Sequence, residues 1–178
     1  MKSRIKYFII ALLSFLSITS VAQITNAANS LGFRWVSNTA TVQNNTASYY
    51  YSFLGAAQDY NNNTDLVINT SGAANIIAWE GSYGDTGWLG LASPYANGNP
   101  CGCGWDVNRA NFAYIYFNTY YGTPGNLNHR ARHELGHVFG LDHQTCAVSS
   151  VMQPTQSNCQ NAPTYIQPDE VNWINYYY

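Results

Sequence analysis

One short stretch constrains this chain more than any other. It reads HELGHVFGLDH from position 133 and so contains the pattern H-E-x-x-H-x-x-G-x-x-H. On an α-helix of 3.6 residues per turn, His133 and His137 lie on one face with Glu134 beside them. Gly140 can adopt a left-handed conformation that ends the helix and brings His143 back toward the other two histidines. Three histidines around one point form an open tetrahedral site, which is the arrangement of a catalytic zinc.

The alternative interpretation of this stretch is a buried helix with three incidental histidines. A second motif argues against it, because Ser150-Val151-Met152-Gln153-Pro154 follows a few residues downstream. Together the two motifs resemble those of the metzincin metallopeptidases. The S-x-M-x-P form of the second motif is similar to the Met-turn of the matrixin-like branch. The resemblance is strongest over residues 113–154 and is only topological before them.

The resemblance implies a role for each matching residue. His133, His137 and His143 are expected to bind zinc, and Met152 to form an apolar floor beneath them. Glu134 is expected to act as the general base that takes a proton from a zinc-bound water and passes it to the leaving amine. Residues 88–92 match the position of the edge strand along which a matrixin substrate lies extended.

Several features depart from the matrixin pattern. The chain before Phe33 is expected to be too short for a prodomain with an inhibitory cysteine, so latency would arise differently. A second, structural zinc site of three histidines and an aspartate is excluded, because only His129 remains after the three ligands are assigned. Pro154 stands where astacins and serralysins carry a tyrosine ligand. Glu80, Asp85 and Asp106 offer oxygen ligands for calcium, with simple solvation of these acids as the favoured interpretation.

His129 precedes His133 by one helical turn. In matrixins the residue at this position lines the pocket for the side chain just after the scissile bond. Two interpretations therefore stay open for His129: it lines that pocket, or it faces solvent beside Arg130.

The N-terminal residues have the pattern of a secretory signal peptide. Lys2, Arg4 and Lys6 precede an apolar run over residues 7–18, and Ser20-Val21-Ala22 fits a cleavage site. The apolar run is short for a membrane anchor, which is the alternative. We therefore predict a signal peptide at residues 1–22, with cleavage as late as residue 28, and one peptidase domain at 29–178. The mature protein is expected to be extracellular, without membrane contact.

The charge of the mature chain excludes one class of partner. Removal of the signal leaves four arginines and no lysine against nine acidic residues, a net charge of about −5. Nucleic-acid binding requires a basic patch, so nucleic acid is not expected as a partner.

The four cysteines are an even number in a chain with an export signal, which predicts disulfides. Locality favours a Cys146–Cys159 bridge around the Met-turn, and elimination then pairs Cys101 with Cys103. The crossed pairings remain open.

Hydrophobic periodicity predicts an α+β domain. The order is similar to that of a matrixin catalytic domain, which is a twisted, mostly parallel five-stranded sheet with an antiparallel edge strand and three helices. The predicted strands are Gly32–Val36, Asp65–Asn69, Ala74–Trp79, Trp88–Ala92 and Ala113–Asn118, and the predicted helices are Thr46–Tyr60, Leu127–Phe139 with Asn126 as N-cap, and one beginning at Pro168.

These features predict a secreted, monomeric zinc endopeptidase acting on protein or peptide substrates. Two alternatives remain. One is a non-catalytic zinc module for binding or adhesion, which Glu134 argues against. The other is a toxin or processing enzyme that cleaves a single partner protein.

Overall fold

The structure, a computed structural model, describes residues 28–101, 109–122, 125–154, 159 and 162–178. The predicted signal peptide, Cys103 and Asp106 lie outside these residues. In the part of the chain that is described, no helix is long and apolar enough to cross a membrane. The elements, in chain order, are β1 (Arg34–Trp35), β2 (Thr39–Asn45), α1 (Tyr50–Asn63), β3 (Val67–Asn69), β4 (Ile76–Gly81), β5 (Gly90–Ala96), β6 (Asn99–Pro100), β7 (Arg109–Ala110), β8 (Phe112–Asn118), α2 (Leu127–Val138) and α3 (Pro168–Tyr177).

A six-stranded mixed sheet forms the centre of the fold, in the order β3-β2-β4-β8-β5-β6. The pairs β2–β3, β2–β4 and β4–β8 are parallel, whereas β5 pairs antiparallel with β8 and β6. Strand β6 pairs with only the last two residues of β5, Tyr95 and Ala96. Among the described residues, no strand pairs with the outer edge of β5 over residues 90–93. The predicted class, a mostly parallel sheet with three helices, is confirmed.

The first part of the sheet differs from the sequence prediction. The predicted first strand shrinks to Arg34–Trp35, which pairs with β7 in a separate two-stranded sheet. Its place in the main sheet is taken by β2, which the sequence analysis missed. Only Ala40 and Val42 of β2 are buried, so the strand has too few apolar residues to show a clear alternation. The following helix accordingly begins at Tyr50 and not at Thr46.

The core lies between one face of the sheet and helices α1 and α2. Strand β8 shows how the sequence produces it, because Ala113, Ile115 and Phe117 alternate inward and are fully buried. The Phe117 ring stacks on Tyr49 with ring centroids 3.9 Å apart. Helix α1 thereby packs against the centre of the sheet.

Helix α2 begins at the predicted residue and ends one residue before the predicted end. The Asn126 side chain accepts a hydrogen bond from the His129 backbone N–H at 3.1 Å and caps the N-terminus. At the other end Gly140 has φ of +96°. A β-carbon at this position would overlap the carbonyl oxygen of Phe33. Only glycine therefore allows the chain to turn here and to lie against the Phe33 carbonyl group, which precedes β1.

Candidate metal centre and cleft

The structure brings the three predicted ligand residues together. His133 and His137 project from one face of α2, and His143 reaches them from the loop after Gly140. The Nε2 atom of His137 lies 3.0 Å from that of His133 and 3.2 Å from that of His143, and the remaining Nε2–Nε2 distance is 3.2 Å. Among the described residues, these histidines are the one group of three or more potential metal ligands.

Backbone carbonyl groups set the tautomer of two of these rings. The Nδ1 atom of His133 lies 2.8 Å from the Val151 oxygen, and that of His137 lies 2.7 Å from the Leu141 oxygen. A carbonyl oxygen only accepts hydrogen bonds, so Nδ1 carries the proton and Nε2 presents a lone pair. Burial lowers the pKa of His133 well below its usual range and that of His137 to about 4. Both rings are thus neutral, which is the form that binds metals.

This donor set fits a zinc ion. Lone pairs that converge at about 3 Å repel one another unless a cation lies between them. Tetrahedral zinc with Zn–N bonds of about 2.0–2.1 Å requires nitrogen atoms roughly 3.3 Å apart. The measured separations of 3.0–3.2 Å are close to this value.

The Met-turn lies directly beneath the histidines. Met152 is fully buried, and a β-carbon on Gly136 would stand 2.6 Å from its sulfur. The glycine inside the helical motif therefore lets the turn approach α2 closely. The Ser150 hydroxyl accepts a hydrogen bond from the Met152 N–H at 2.9 Å and donates to the Glu170 carboxylate in α3. Helix α3 thus holds the segment whose Val151 carbonyl orients His133.

A short N-terminal strap, residues 29–31, holds the loop that carries His143. The Leu31 N–H donates to the Gly140 oxygen at 2.9 Å, and the Asp142 N–H donates to the Asn29 oxygen at 2.8 Å. The Asn29 side chain donates to the His143 carbonyl at 2.7 Å. This strap could not be predicted from the sequence, because a short polar segment does not indicate which distant residues it contacts.

Glu134 lies against strand β5 beside the metal centre. It is only 4 % exposed, and burial raises the pKa of its carboxyl to about 8. The Arg130 guanidinium and the Ala92 backbone N–H act in the opposite direction and favour the ionised form. A β-carbon on Gly90 would overlap the Glu134 carboxylate. Gly90 is therefore a site residue that the sequence analysis missed, and a glycine inside a predicted strand was the available signal.

Arg130 is the second residue missed. It is 3 % exposed and lies one turn before Glu134 on α2. Its Nη1 atom donates to the Tyr49 hydroxyl at 2.7 Å. Since Tyr49 stacks on Phe117, the guanidinium is fixed in the core near Glu134.

An open cleft of about 410 Å³ runs between β5 and the metal centre. Residues 87–92 form one wall, and the histidines with Asp142 and Pro154 form the other. The residues predicted to pair with a substrate therefore line the cleft. Their outer edge has no partner strand among the described residues.

His129 fits neither of its two predicted roles. It is fully buried and is not among the described residues that line the cleft. Its Nδ1 atom lies 2.7 Å from the Pro163 oxygen and its Nε2 atom 3.1 Å from the Gln153 oxygen. The ring instead connects α2 to Gln153 of the Met-turn and to Pro163 further along the chain, contacts that the spacing of residues along a helix does not reveal.

Of the three candidate calcium ligands, the two that the structure describes, Glu80 and Asp85, accept hydrogen bonds. One carboxylate oxygen of Glu80 accepts the N–H groups of Ala47 and Ser48 at 2.8 and 2.7 Å. Asp85 accepts the Tyr121 hydroxyl at 2.5 Å. The third residue, Asp106, lies outside the described residues.

The predicted Cys146–Cys159 bridge is present, with Cα atoms 5.1 Å apart. Cys101 has a free thiol, so the pairing with Cys103 that followed by elimination is wrong in this structure. Two cysteines with one residue between them close a strained ring. Cys103 itself lies outside the described residues.

Comparison with known proteins agrees with this geometry. The Reprolysin_5 family model, described as metallo-peptidase family M12, matches residues 13–178. A metzincin-type peptidase was therefore correctly predicted, although the sequence motifs were compared with those of matrixins. The curated proteins contain no match to this chain.

Proposed function

Because this chain belongs to metallopeptidase family M12, we propose that it is a secreted zinc endopeptidase. His133, His137 and His143 hold the metal, and Glu134 is the general base. The observation that carries the proposal is the convergence of three Nε2 atoms within 3.2 Å of one another, beside a buried carboxylate and an open cleft. A purely structural zinc site would have no use for that carboxylate or that cleft.

A zinc ion at the three histidines would polarise the scissile carbonyl group and make water more acidic at the site. The protein supplies the proton transfer. Arg130 favours the ionised form of Glu134, which accepts a proton from the attacking water. Burial raises the pKa of the carboxyl to about 8, so both the ionised and the protonated form are populated near neutral pH. The same residue can therefore pass the proton to the leaving amine.

Strand β5 supports the binding of an extended peptide. Residues 88–92 line the cleft, and among the described residues no strand pairs with the outer edge of β5 at this point. A peptide that adds to this edge is held through its main chain, so its side chains contribute mainly to specificity. This arrangement favours cleavage within a chain over removal of terminal residues.

Incubation of the purified mature protein with a diverse peptide library, with and without chelator, tests this function. We expect chelator-sensitive cleavage of internal bonds. Glu134→Ala should keep one zinc per chain and lose nearly all hydrolysis, because no group then deprotonates the water. Unchanged turnover in that variant would remove Glu134 from the mechanism. A zinc-loaded wild type that cleaves neither peptides nor proteins would favour the non-catalytic zinc module.

Secretion is tested separately. N-terminal sequencing of protein recovered from the medium should find a start between residues 23 and 29, after the expected cleavage site. Full-length chain retained in the cells would contradict the proposed signal peptide.

A further inference from the structure

The outer face of the sheet, opposite α1 and α2, carries a continuous set of aromatic rings. Alternation along β4 and β8 directs Trp79, Tyr114 and Tyr116 outward, because their neighbours Ala78, Ile115 and Phe117 are buried in the core. Tyr95 on β5 and the loop residues Tyr83 and Trp88 extend the set. We call these six residues the aromatic face.

Five of the six rings of the aromatic face contact one another in sequence, from Trp88 to Tyr95. Centroid distances are 5.5 Å from Trp88 to Tyr83, 5.7 Å from Tyr83 to Tyr116, and 5.9 Å from Tyr116 to Tyr114 and from Tyr114 to Tyr95. Trp79 is the β4 register partner of Tyr116. Trp79 is 42 % exposed and Tyr83 is 40 % exposed. A connected apolar surface that is exposed to solvent indicates a binding surface.

The chemistry of the aromatic face selects the kind of partner. The outward positions of β4, β5 and β8 carry no charged side chain, and the outward positions of β2 are Thr39, Thr41, Gln43 and Asn45. These strand positions thus combine ring faces with hydroxyl and amide groups and carry no charge. The acid in the adjoining loop, Asp85, accepts a hydrogen bond from the Tyr121 hydroxyl. A matching partner is uncharged, rich in hydroxyl groups, and able to stack C–H groups on aromatic rings.

We propose that the aromatic face binds an uncharged polysaccharide with an extended chain of pyranose rings. The negative face of an aromatic ring attracts the C–H groups on the flat side of a sugar. Tyrosine hydroxyls and the amides of β2 then pair with the sugar hydroxyls. The cleft adjoins this surface at Trp88, so binding would place the active site beside the polysaccharide.

A lipid bilayer is the other large partner whose binding surfaces on proteins are enriched in Trp and Tyr. Membrane-surface sites add Lys or Arg for anionic lipid headgroups. The predicted mature chain has no lysine, and no arginine lies on β2, β4, β5 or β8. The composition of the face therefore favours the sugar polymer.

Depletion from solution tests the proposal. Zinc-loaded mature protein is mixed with microcrystalline cellulose, with chitin, or with phosphatidylcholine vesicles, and the unbound fraction is measured. We expect binding to at least one of the two polysaccharides and none to vesicles. Trp79→Thr, which keeps a strand-forming residue, and Tyr83→Ala should each weaken binding by roughly tenfold, because each removes a stacking ring.

Tyr51→Ala is the matched control. Tyr51 is 84 % exposed on α1, far from the aromatic face, so its loss should leave binding unchanged. Hydrolysis of a small soluble peptide reports folding and should be the same for wild type and all three variants. Absence of binding to both polysaccharides, equal binding by Trp79→Thr and wild type, or binding to vesicles alone would each overturn the proposal.

Discussion

The carboxylate of Glu134 occupies space that any side chain at position 90 would need. Gly90 lies in the strand that forms one wall of the cleft, and the Ala92 N–H helps to fix the carboxylate. The position of the proposed general base therefore depends on a residue of β5 as well as on its own helix.

Gly90→Ala is predicted to impair catalysis while leaving metal binding intact. The added methyl group displaces the Glu134 carboxylate, and a shift of about 1 Å in a catalytic group costs roughly 100-fold in rate. The three atoms nearest to a β-carbon at position 90 all belong to Glu134, so zinc content should stay at one per chain. Ser93→Ala, three residues further along β5 and on its outward face, is the control and should keep wild-type kcat. Full activity of Gly90→Ala would show that the carboxylate tolerates displacement.

The Glu80 side chain on β4 contacts the start of helix α1, which lies far from it in sequence. Helix α1 has no side-chain cap of its own at Tyr49. Burial tends to raise the pKa of Glu80, but the hydrogen bonds from Ser48, Ala47 and Tyr49 outweigh it, so the pKa lies below its usual range. The ionised carboxylate on β4 therefore takes over the capping of a helix that is distant in sequence.

Glu80→Gln is predicted to destabilise the fold in a pH-dependent way. A lowered folded-state pKa contributes stability above the unfolded value of about 4.3, and this stability is lost as pH falls through the folded pKa. Urea unfolding of the zinc-free proteins should show a less stable variant at about pH 7. The difference should shrink at about pH 3. A difference that is constant with pH would indicate a role unrelated to charge.

At the scale of elements, the site depends on the loop that follows α2. This loop carries the Val151 carbonyl that orients His133, and it is closed by the Cys146–Cys159 bridge and tied to α3 through Ser150 and Glu170. The contacts that fix this loop therefore also fix the orientation of His133, the first metal ligand.

Removing the bridge is predicted to weaken stability and metal binding together. The disulfide closes a loop with a sequence separation of 13 residues, which is worth roughly 3 kcal/mol in the chain-entropy model. The Cys146→Ser/Cys159→Ser variant should unfold at a lower temperature and lose zinc to a competing chelator more readily. Cys101→Ser, at a free thiol, should match the wild type in both measurements. A destabilised double variant with unchanged zinc affinity would separate the two roles.

Local signals explain which elements the sequence could predict. Helix α2 has a polar cap at Asn126 and a glycine stop at Gly140, so its limits were predicted almost to the residue. Strand β2 has only two inward apolar side chains, and its place in the sheet depends on pairing with β3 and β4. The three ligands follow from spacing along one helix and one turn. Gly90, Arg130 and the strap at residues 29–31 depend on tertiary contacts, which spacing cannot reveal.

At the scale of the whole molecule, the metal centre joins segments from most of the chain. The strap at residues 29–31, helix α2 and the Met-turn contact a ligand residue or the group that orients it, and Glu170 of α3 holds the Met-turn through Ser150. A metal ion bound at this point links them and should stabilise the folded state as a unit.

Chelation is accordingly predicted to lower the unfolding temperature. Zinc at about 100 times its Kd stabilises the folded state by about 2.7 kcal/mol, which corresponds to roughly 5–10 °C for a domain of this size. Calorimetry with and without chelator measures the shift, and added zinc should restore it. His143→Ala should show a smaller response because it lacks one ligand. Equal shifts of the unfolding temperature in the variant and the wild type would show that the zinc binds elsewhere.

The strap also bears on the order in which the molecule assembles. The hydrogen bond from Asn29 to His143 joins residues 114 positions apart, and that from the Trp35 N–H to the Tyr178 hydroxyl joins residues 143 apart. Contacts between such distant residues close large loops and form slowly. In a folding chain, helix α2 therefore places His133 and His137 early, and the contacts that position His143 form late. We expect tight zinc uptake to follow the main refolding phase in time, and rapid mixing with a zinc-sensitive dye would detect uptake that came first.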